Sequence, residues 1–270
     1  MRAKSQASHD AVLREFEPVA DAAGKDGLTL ADELFAVVDA LDSSGSLRRA
    51  MTDPARPGAD KSVLVTNLFS ASDSRVQDLL SSFVNRRWST EHDLAQSIED
   101  AGVMALLAYA EQDGTLTTVE EELFRVERLL DHERDLLVAM GNRSATKEMR
   151  LSLLDEVLGG KVGSITQALL TRIVGSPRGN RVVAALKSII TVASARQDRS
   201  VAWVTAAVEL SAAQRKRLAT ILADAYGREV QINVAVDPEV IGGIRVKVGS
   251  NVVDGTVLAR LDQARRLLVG

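Results

Sequence analysis

The stretch LTLADELFAVVDALD (residues 28–42) carries apolar side chains at the spacing that places them on one face of a helix. Segments with the same period fill about the first 195 residues, separated by turns that contain Asp-Gly, Ser-Gly or Asp-Pro. They lie at 8–24, 60–69, 74–87 and 89–112, and the Thr-x-x-Glu spacing at 117–120 predicts a further helix start. The sequence therefore predicts a body of helices packed on helices.

This helical pattern recurs further along the chain. LFAVVDALD (34–42) and LFRVERLLD (123–131) agree at five of nine positions. AAGKDG, upstream of the first string, corresponds to YAEQDG, upstream of the second. Leucine-rich helices produce chance matches, yet the order and spacing favour a duplicated helical bundle. Further matched pairs are Leu47 with Leu136, Met51 with Met140, Leu64 with Leu153, Leu79 with Leu169, Leu80 with Leu170 and Val84 with Val174.

The period changes after about residue 200. The segments 201–210, 229–237 and 243–249 read as strands, 211–227 as a helix, 249–251 as a hairpin loop followed by a short strand, and 255–268 as a last helix. Ile244, Val246 and Val248 are expected on one face, with Arg245 and Lys247 on the other. The predicted fold is mainly α with a small α+β C-terminal domain of βαββα type. Three domains are expected: a first bundle at 8–112, a second bundle at 89–198 that shares the helix 89–112, and a C-terminal domain at 200–270.

Composition excludes several classes of function. The chain of 270 residues has no cysteine, so disulfides and thiolate metal sites are excluded. Residues 198–270 hold ten Lys or Arg and eight Asp or Glu, and the remainder holds 23 and 29, so the body is acidic and unsuited to nucleic acid. The N-terminus lacks the apolar segment of a signal peptide. The longest uncharged apolar run, 101–110, is about half the length that a membrane-spanning helix needs.

The glycines near the C-terminus could suggest a phosphate-binding loop. However, the P-loop string Gly-x-x-x-x-Gly-Lys-Ser/Thr does not occur, and Gly242 and Gly243 lead into a strand rather than from a strand into a helix. Turns with positive φ at Gly242, Gly243 and Gly249 are the favoured interpretation. Asp254 is expected to cap the last helix, with Gly255 beside it.

Other candidate groups favour structural roles, and no catalytic, cofactor-binding or metal-binding residue is predicted. The acidic runs 91–93 and 120–122 lie near helix starts, where solvated carboxylates are stabilised by the helix dipole. The basic run 215–217 is either a solvated face or a surface for acidic residues of a partner. His9, His92 and His132 are too far apart to suggest a metal site, and Trp88 and Trp203 are expected to be half-buried packing residues.

A family resemblance lies in VQINVAVDPEVIGGIRVKVG (230–249) followed by VVDGTVLARLDQARRLL (252–268). These strings resemble the signature of ATP synthase delta subunits, the family of the mitochondrial oligomycin-sensitivity-conferring protein. ALLAYAEQDG (105–114), EELFRVERLLD (121–131) and residues 153–174 resemble the family's N-terminal six-helix domain. Residues from 89 onward would thus make one ordinary member, and 8–112 an extra copy, as in long actinobacterial forms. The signature fits at Asp237, Pro238, Val240, Gly242, Gly243, Ile244, Val246, Gly249, Asp254 and Gly255.

The resemblance implies a non-enzymatic subunit of a proton-translocating ATP synthase that needs no cofactor. Such a subunit belongs to the peripheral stalk, which links the catalytic head to the membrane sector and holds the head against rotor torque. Its implied partners are the N-terminal helices of alpha subunits and the b subunit of the stalk. Its implied place is the cytoplasmic face of the cell membrane, with the membrane contacted only through the complex.

The resemblance also implies where an alpha subunit would bind. The groove between the first and fifth helices of the six-helix unit maps to Val103, Leu106, Leu107, Ala110, Leu169, Leu170 and Ile173. For each of these residues taken singly, a place in the ordinary core is the favoured interpretation. A generic helical adaptor, or a small-ligand enzyme with a coincidental signature match, is the alternative function.

Overall fold

The computed structural model describes residues 1–142, 144–176, 182–199, 201–226, 230–237, 240, 242–249 and 251–256. The chain divides into two compact units, Met1–Val192 and Ala193–Gly270. The first unit is helical, and the second contains a four-stranded sheet. The predicted fold class, mainly α with a small α+β part, is therefore confirmed.

The helical unit follows the predicted segments closely. The first helix begins earlier than predicted and continues through Pro18 to Ala22, and the helix predicted from 117–120 begins at Leu116 with Thr115 as its N-cap. A 3-10 turn, Gly24–Asp26, separates the first two helices. The helices are α1 Ala3–Ala22, α2 Gly27–Ser43, α3 Gly45–Thr52, α4 Gly58–Leu68, α5 Ser74–Asn85, α6 Glu91–Gln112, α7 Leu116–His132, α8 Arg134–Met140, α9 Lys147–Leu158, α10 Ser164–Gly175 and α11 Val182–Arg199.

The bounds of these helices repeat along the chain. Helices α2 and α7 both have 17 residues and begin at positions 27 and 116, a separation of 89. Helices α5 and α10 both have 12 residues and begin at 74 and 164, a separation of 90. The sequence repeat is thus also a repeat of structural elements, because the matched residues named above likewise change from a separation of 89 up to Leu64 to one of 90 after it.

One hydrogen bond from a backbone amide to a carboxylate repeats with the helices. The carboxylate of Glu33 on α2 accepts the backbone N–H of Asp73, the N-cap of α5, at 2.8 Å. The carboxylate of Glu122 on α7 accepts the N–H of Gly163, the N-cap of α10, at 3.1 and 3.0 Å. Glu122 is buried, so its predicted role as a solvated carboxylate was wrong. The physical reason is that an amide at a helix start has no acceptor within its helix, and this carboxylate supplies one.

We expect Glu122→Ala to lower the free energy of unfolding of the helical unit by about 1–3 kcal/mol, because the Gly163 amide would lose its acceptor. Glu122→Gln keeps one acceptor oxygen and should cost less. Urea unfolding followed by helical circular dichroism measures both. Glu121→Ala is the matched control, since Glu121 is exposed and pairs only with Arg125 among the contacts of the described residues. Equal midpoints for Glu121→Ala and Glu122→Ala would contradict this role.

Helix α6 forms the centre of the helical unit. It packs against α1, α2, α3 and α5 from the first half and against α7 and α10 from the second. The contact with α2 is close because Gly102 has no side chain: a Cβ there would lie 2.5 Å from Cε1 of Phe35. Helix α6 therefore contacts helices from both halves of the sequence repeat.

Arg172 joins α10 to this centre. Its Nη1 lies 2.7 Å from Oδ1 of Asp39 on α2, and its Nη2 lies 3.3 Å from Oε1 of Glu99 on α6. The guanidinium carbon lies 4.7 Å from the centroid of the Phe35 ring, a cation–π distance. One side chain of the second half therefore holds two helices together with charge and with an aromatic contact.

The second unit contains β1 Val201–Ala206, α12 Ala212–Tyr226, β2 Gln231–Val236, β3 Ile244–Val248 and β4 Asn251–Asp254. The sheet order is β2-β1-β3-β4, with β1 parallel to β2 and the other pairs antiparallel. The predicted strands and helix are confirmed, although β1 ends at Ala206 rather than at residue 210. The predicted last helix, 255–268, lies outside the described residues from position 257 onward.

One face of this sheet forms the core of the unit. Ala202 and Val204 of β1 and Val246 and Val248 of β3 are buried there, together with Leu222 of α12. Arg245 and Lys247 point the other way and are exposed, as the alternation predicted. The period-two pattern thus correctly separated the two faces.

The two tryptophans differ in their exposure. Trp88 is half-buried, as predicted, and its Nε1 donates to the carbonyl of Phe83 at 2.8 Å. Trp203 is 56% exposed, so the prediction of a half-buried packing residue was wrong for it. The reason is that the alternation along β1 places Trp203 on the face opposite to Ala202 and Val204.

Candidate helix-docking site

The signature glycines have the backbone that the sequence predicted. Gly242, Gly243 and Gly249 adopt φ values of 93°, 82° and 54°, the left-handed region that side chains disfavour. Gly243 also lies so close to the chain after β4 that a Cβ would be 2.4 Å from the carbonyl oxygen of Gly255. These glycines therefore allow a turn and a close backbone approach.

The other described signature residues hold the same turn in place. The N–H of Asp237 donates to the carbonyl of Ala206 at 2.9 Å, and the N–H of Val240 donates to the carbonyl of Asp237 at 3.1 Å. The N–H of Gly255 donates to the carbonyl of Ile244 at 2.9 Å, which continues the ladder between β3 and β4. Pro238 lies outside the described residues.

Asp254 accepts hydrogen bonds at the end of β4. Its carboxylate accepts the hydroxyl of Thr256 at 2.7 Å, the N–H of Thr256 at 3.0 Å and Nε of Arg245 at 3.0 Å. The hydrogen bond from the Thr256 side chain is the largest cause that holds the pKa of Asp254 below its usual value, followed by the bond from the Thr256 amide. The bond to the amide two residues on is the one expected of an N-cap. The helix that Asp254 was predicted to cap lies outside the described residues.

The seven residues predicted for the alpha-subunit groove are all buried. Five of them lie within the core of the helical unit: Leu106, Leu107, Ala110, Leu169 and Leu170. The other two, Val103 on α6 and Ile173 on α10, line an open cavity of about 260 Å³. The structure thus brings α6 and α10 together as expected, and it leaves a furrow at one end of the predicted set.

Helix α11 forms the third wall of this furrow. It contributes Val182, Ala185, Ser188 and Ile189, and Met1 also lies beside the cavity. Sequence reasoning missed these residues because the resemblance pointed only to the first and fifth helices. The apolar spacing of residues 182–190 was the signal that could have found them.

The furrow has a mixed lining. Val103, Ile173 and Ile189 provide apolar surface, while Gln96, Asp100, Arg172, Ser176 and Ser188 provide polar groups. Such a lining suits an amphipathic segment, which buries apolar side chains and keeps polar ones at the rim. Within the described residues, no group of three or more His, Cys, Asp or Glu side chains is arranged to hold a metal ion.

The first half differs at the corresponding positions. Phe83 on α5 precedes Ile173 by 90 residues, the separation of α5 from α10. Phe16 on α1 precedes Val103 by 87 residues, the separation of the two Asp-Gly turns at 26–27 and 113–114. Both rings are buried where α1 packs against α5 and α6. Aromatic rings therefore occupy positions that hold smaller side chains beside the furrow in the second half.

Comparison with known proteins identifies the family to which this sequence belongs. The family model described as ATP synthase delta (OSCP) subunit matches residues 103–268. The chain belongs to the ATP synthase delta (OSCP) family. The match begins inside α6 and covers the furrow helices and the C-terminal unit.

Full-length relatives in this delta family include the helices ahead of the match. A protein named ATP synthase subunit delta from Beutenbergia cavernae is 49% identical over 271 residues, with 100% of both chains covered. Its namesake from Streptomyces griseus is 39% identical with the same coverage, and that from Streptomyces avermitilis is 41% identical over 95% of this chain and 94% of its own. Residues 1–102 are thus shared with long members of the delta family.

No helix in the described part of the chain is long and apolar enough to span a membrane.

Proposed function

We propose that this chain is the delta subunit of a proton-translocating ATP synthase and acts without catalysing a reaction itself. The observation that carries the proposal is the end-to-end match, at 49% identity, to a protein named ATP synthase subunit delta. In this role the subunit belongs to the peripheral stalk and lies on the cytoplasmic face of the membrane. It connects the catalytic head to the membrane sector and resists the torque of the rotor, so that proton flow is coupled to ATP synthesis.

We propose a domain organisation in which different domains bind different partners. Two helical bundles, 8–112 and 89–198, share α6, and a C-terminal domain covers 200–270. The second bundle binds the N-terminal helix of an alpha subunit in the furrow between α6, α10 and α11. The C-terminal domain binds the b subunit of the stalk. Contacts with two partners in one complex raise each other's effective concentration, so that each contact can be modest on its own.

The furrow of the second bundle is the better docking site for physical reasons. It offers a volume of about 260 Å³ lined by Val103, Ile173 and α11. Phe16 and Phe83 take the corresponding places in the first bundle and are buried there. An incoming helix would have to displace two aromatic rings from the core, which would cost several kcal/mol. The first bundle is therefore proposed to support the stalk without binding an alpha subunit in this way.

Affinity purification tests the function. The tagged chain, expressed in a cell that lacks its own delta subunit, should co-purify with the alpha and b subunits. Its depletion should uncouple proton flow from ATP synthesis in membrane vesicles. A tagged chain that is absent from purified synthase particles would overturn the proposal and favour a generic adaptor.

A further inference from the structure

The ion pair between Asp39 and Arg172 joins the two halves of the repeat. Oδ1 of Asp39 on α2 lies 2.7 Å from Nη1 of Arg172 on α10, and its Oδ2 lies 3.9 Å from Nζ of Lys147 on α9. In the repeat, Asp39 corresponds to Arg128 at a separation of 89. Arg172 corresponds to Ser82 at a separation of 90. The pair is therefore a contact between the halves and not part of the fold that the halves share.

Arg172 also forms part of the furrow wall. It lines the cavity next to Ile173, and its side chain is 12% exposed. Two of the groups that contact its guanidinium, the carboxylate of Asp39 and the ring of Phe35, belong to α2 of the first half. Neither Asp39 nor Phe35 is among the residues that line the cavity. The first half of the chain therefore fixes a side chain of the docking site without being part of the wall at that point.

The hydrogen-bond donors of Arg172 explain why the contact with Asp39 matters. A guanidinium has five N–H donors, and Nε of Arg172 is already buried without a hydrogen-bond acceptor among the described residues. Without Asp39, Nη1 would also lose its ion-pair partner, while Nη2 would keep Glu99 at 3.3 Å. The carboxylate of Asp100 lines the same cavity and is an acceptor on the side of the furrow. Loss of Asp39 would therefore favour positions of the guanidinium inside the furrow.

We propose that Asp39 is a positioning residue of the furrow, which holds Arg172 where it leaves the furrow open for the alpha-subunit helix. Because a wall side chain that is fixed beforehand need not be ordered on binding, the contact also preorganises the site. Asp39 lies ahead of residues 103–268, which the family model matches, and Arg172 lies within them. The inference rests on the proposed function and adds to it the way in which the extra half of the chain controls the docking site.

Nuclear magnetic resonance of the nitrogen-labelled full chain reports the position of Arg172 without any partner. The signal of its Nε–H group is the one that disappears in Arg172→Met. In Asp39→Ala this signal should shift and its heteronuclear NOE should fall, because the guanidinium has lost its shortest contact. Asp32→Ala is the matched control, since Asp32 is exposed about two turns earlier on the same helix. An Arg172 signal with the same shift and NOE in Asp39→Ala as in the parent would overturn the inference.

Peptide binding tests whether the position of Arg172 matters for docking. Asp39→Ala should weaken binding of the alpha-subunit N-terminal peptide at least fivefold, whereas Asp32→Ala should bind as the parent does. In an Arg172→Met background, which lacks the guanidinium, Asp39→Ala should have no further effect, because Asp39 acts through Arg172. Asp39→Glu keeps a carboxylate and should recover part of the affinity. Thermal melting checks that each variant is folded.

The possible results separate this inference from the proposed function. Equal affinities of Asp39→Ala and Asp32→Ala, or the same loss of affinity with and without the guanidinium of Arg172, would overturn the inference and leave the proposed function intact. Failure of the parent chain to bind the peptide would overturn both the furrow as the docking site and this inference. Absence of the chain from purified synthase particles would overturn the proposed function itself.

Discussion

Gly243→Ala is expected to unfold the C-terminal unit while the helical unit keeps its structure. The substitution adds a Cβ at a φ of 82°, 2.4 Å from the carbonyl oxygen of Gly255 and 2.8 Å from Cα of Thr256. Both neighbours are backbone atoms and cannot rotate away. We expect a loss of about 3 kcal/mol or more, a large share of the stability of a unit of this size. Loss of protection in limited proteolysis, confined to the region after residue 200, would report it.

Gly114→Ala is the matched control for the backbone conformation alone. Gly114 has a φ of 73°, but a Cβ there would meet no atom within 4 Å. Its cost should be about 1 kcal/mol, the strain of a side chain in the left-handed region. If Gly243→Ala were as mild as Gly114→Ala, the close approach of the signature loop to Gly255 would not be a structural requirement.

Ser188→Trp is expected to weaken binding of an alpha-subunit N-terminal peptide at least tenfold without loss of stability. Ser188 is exposed on α11 and lines the furrow, so an indole there would occupy volume that the peptide needs. Titration calorimetry with the synthetic peptide measures the affinity, and thermal melting checks the fold. Ala184→Trp is the matched control, because Ala184 is exposed on the same helix and is not among the furrow-lining residues. Equal affinities of the two variants would exclude the furrow as the docking site.

Leu107→Asp is expected to destabilise the helical unit rather than to weaken peptide binding alone. Leu107 was predicted for the groove, but its side chain is fully buried. A buried carboxylate in its place should lower the melting temperature of the helical unit strongly and should not yield a folded, binding-deficient protein. For this reason only the residues beside the cavity, such as Ser188, can report on docking without a change in fold.

The sequence was most informative where local chemistry decides the structure. Alternation in residues 244–248 separated a buried from an exposed face, and the spacing of apolar residues in 28–42 predicted α2. The positive φ values of Gly242, Gly243 and Gly249 also followed from the chain itself, because glycine alone adopts them without strain. Glu122 was misjudged because its acceptor role depends on Gly163, a residue that is distant in sequence.

Phe35 and Phe124 occupy the same position in the two halves of the repeat, yet their burial differs. Phe35 is 6% exposed, since it packs against Gly102 of α6 and under the guanidinium of Arg172. Phe124 is 44% exposed. The sequence determined the helices and the repeat of their pattern, because periodicity and turn chemistry act locally. Only the tertiary structure decided which of the two rings is buried and where the furrow remains open. The reason is that a ring is buried by contacts with helices that are distant along the chain.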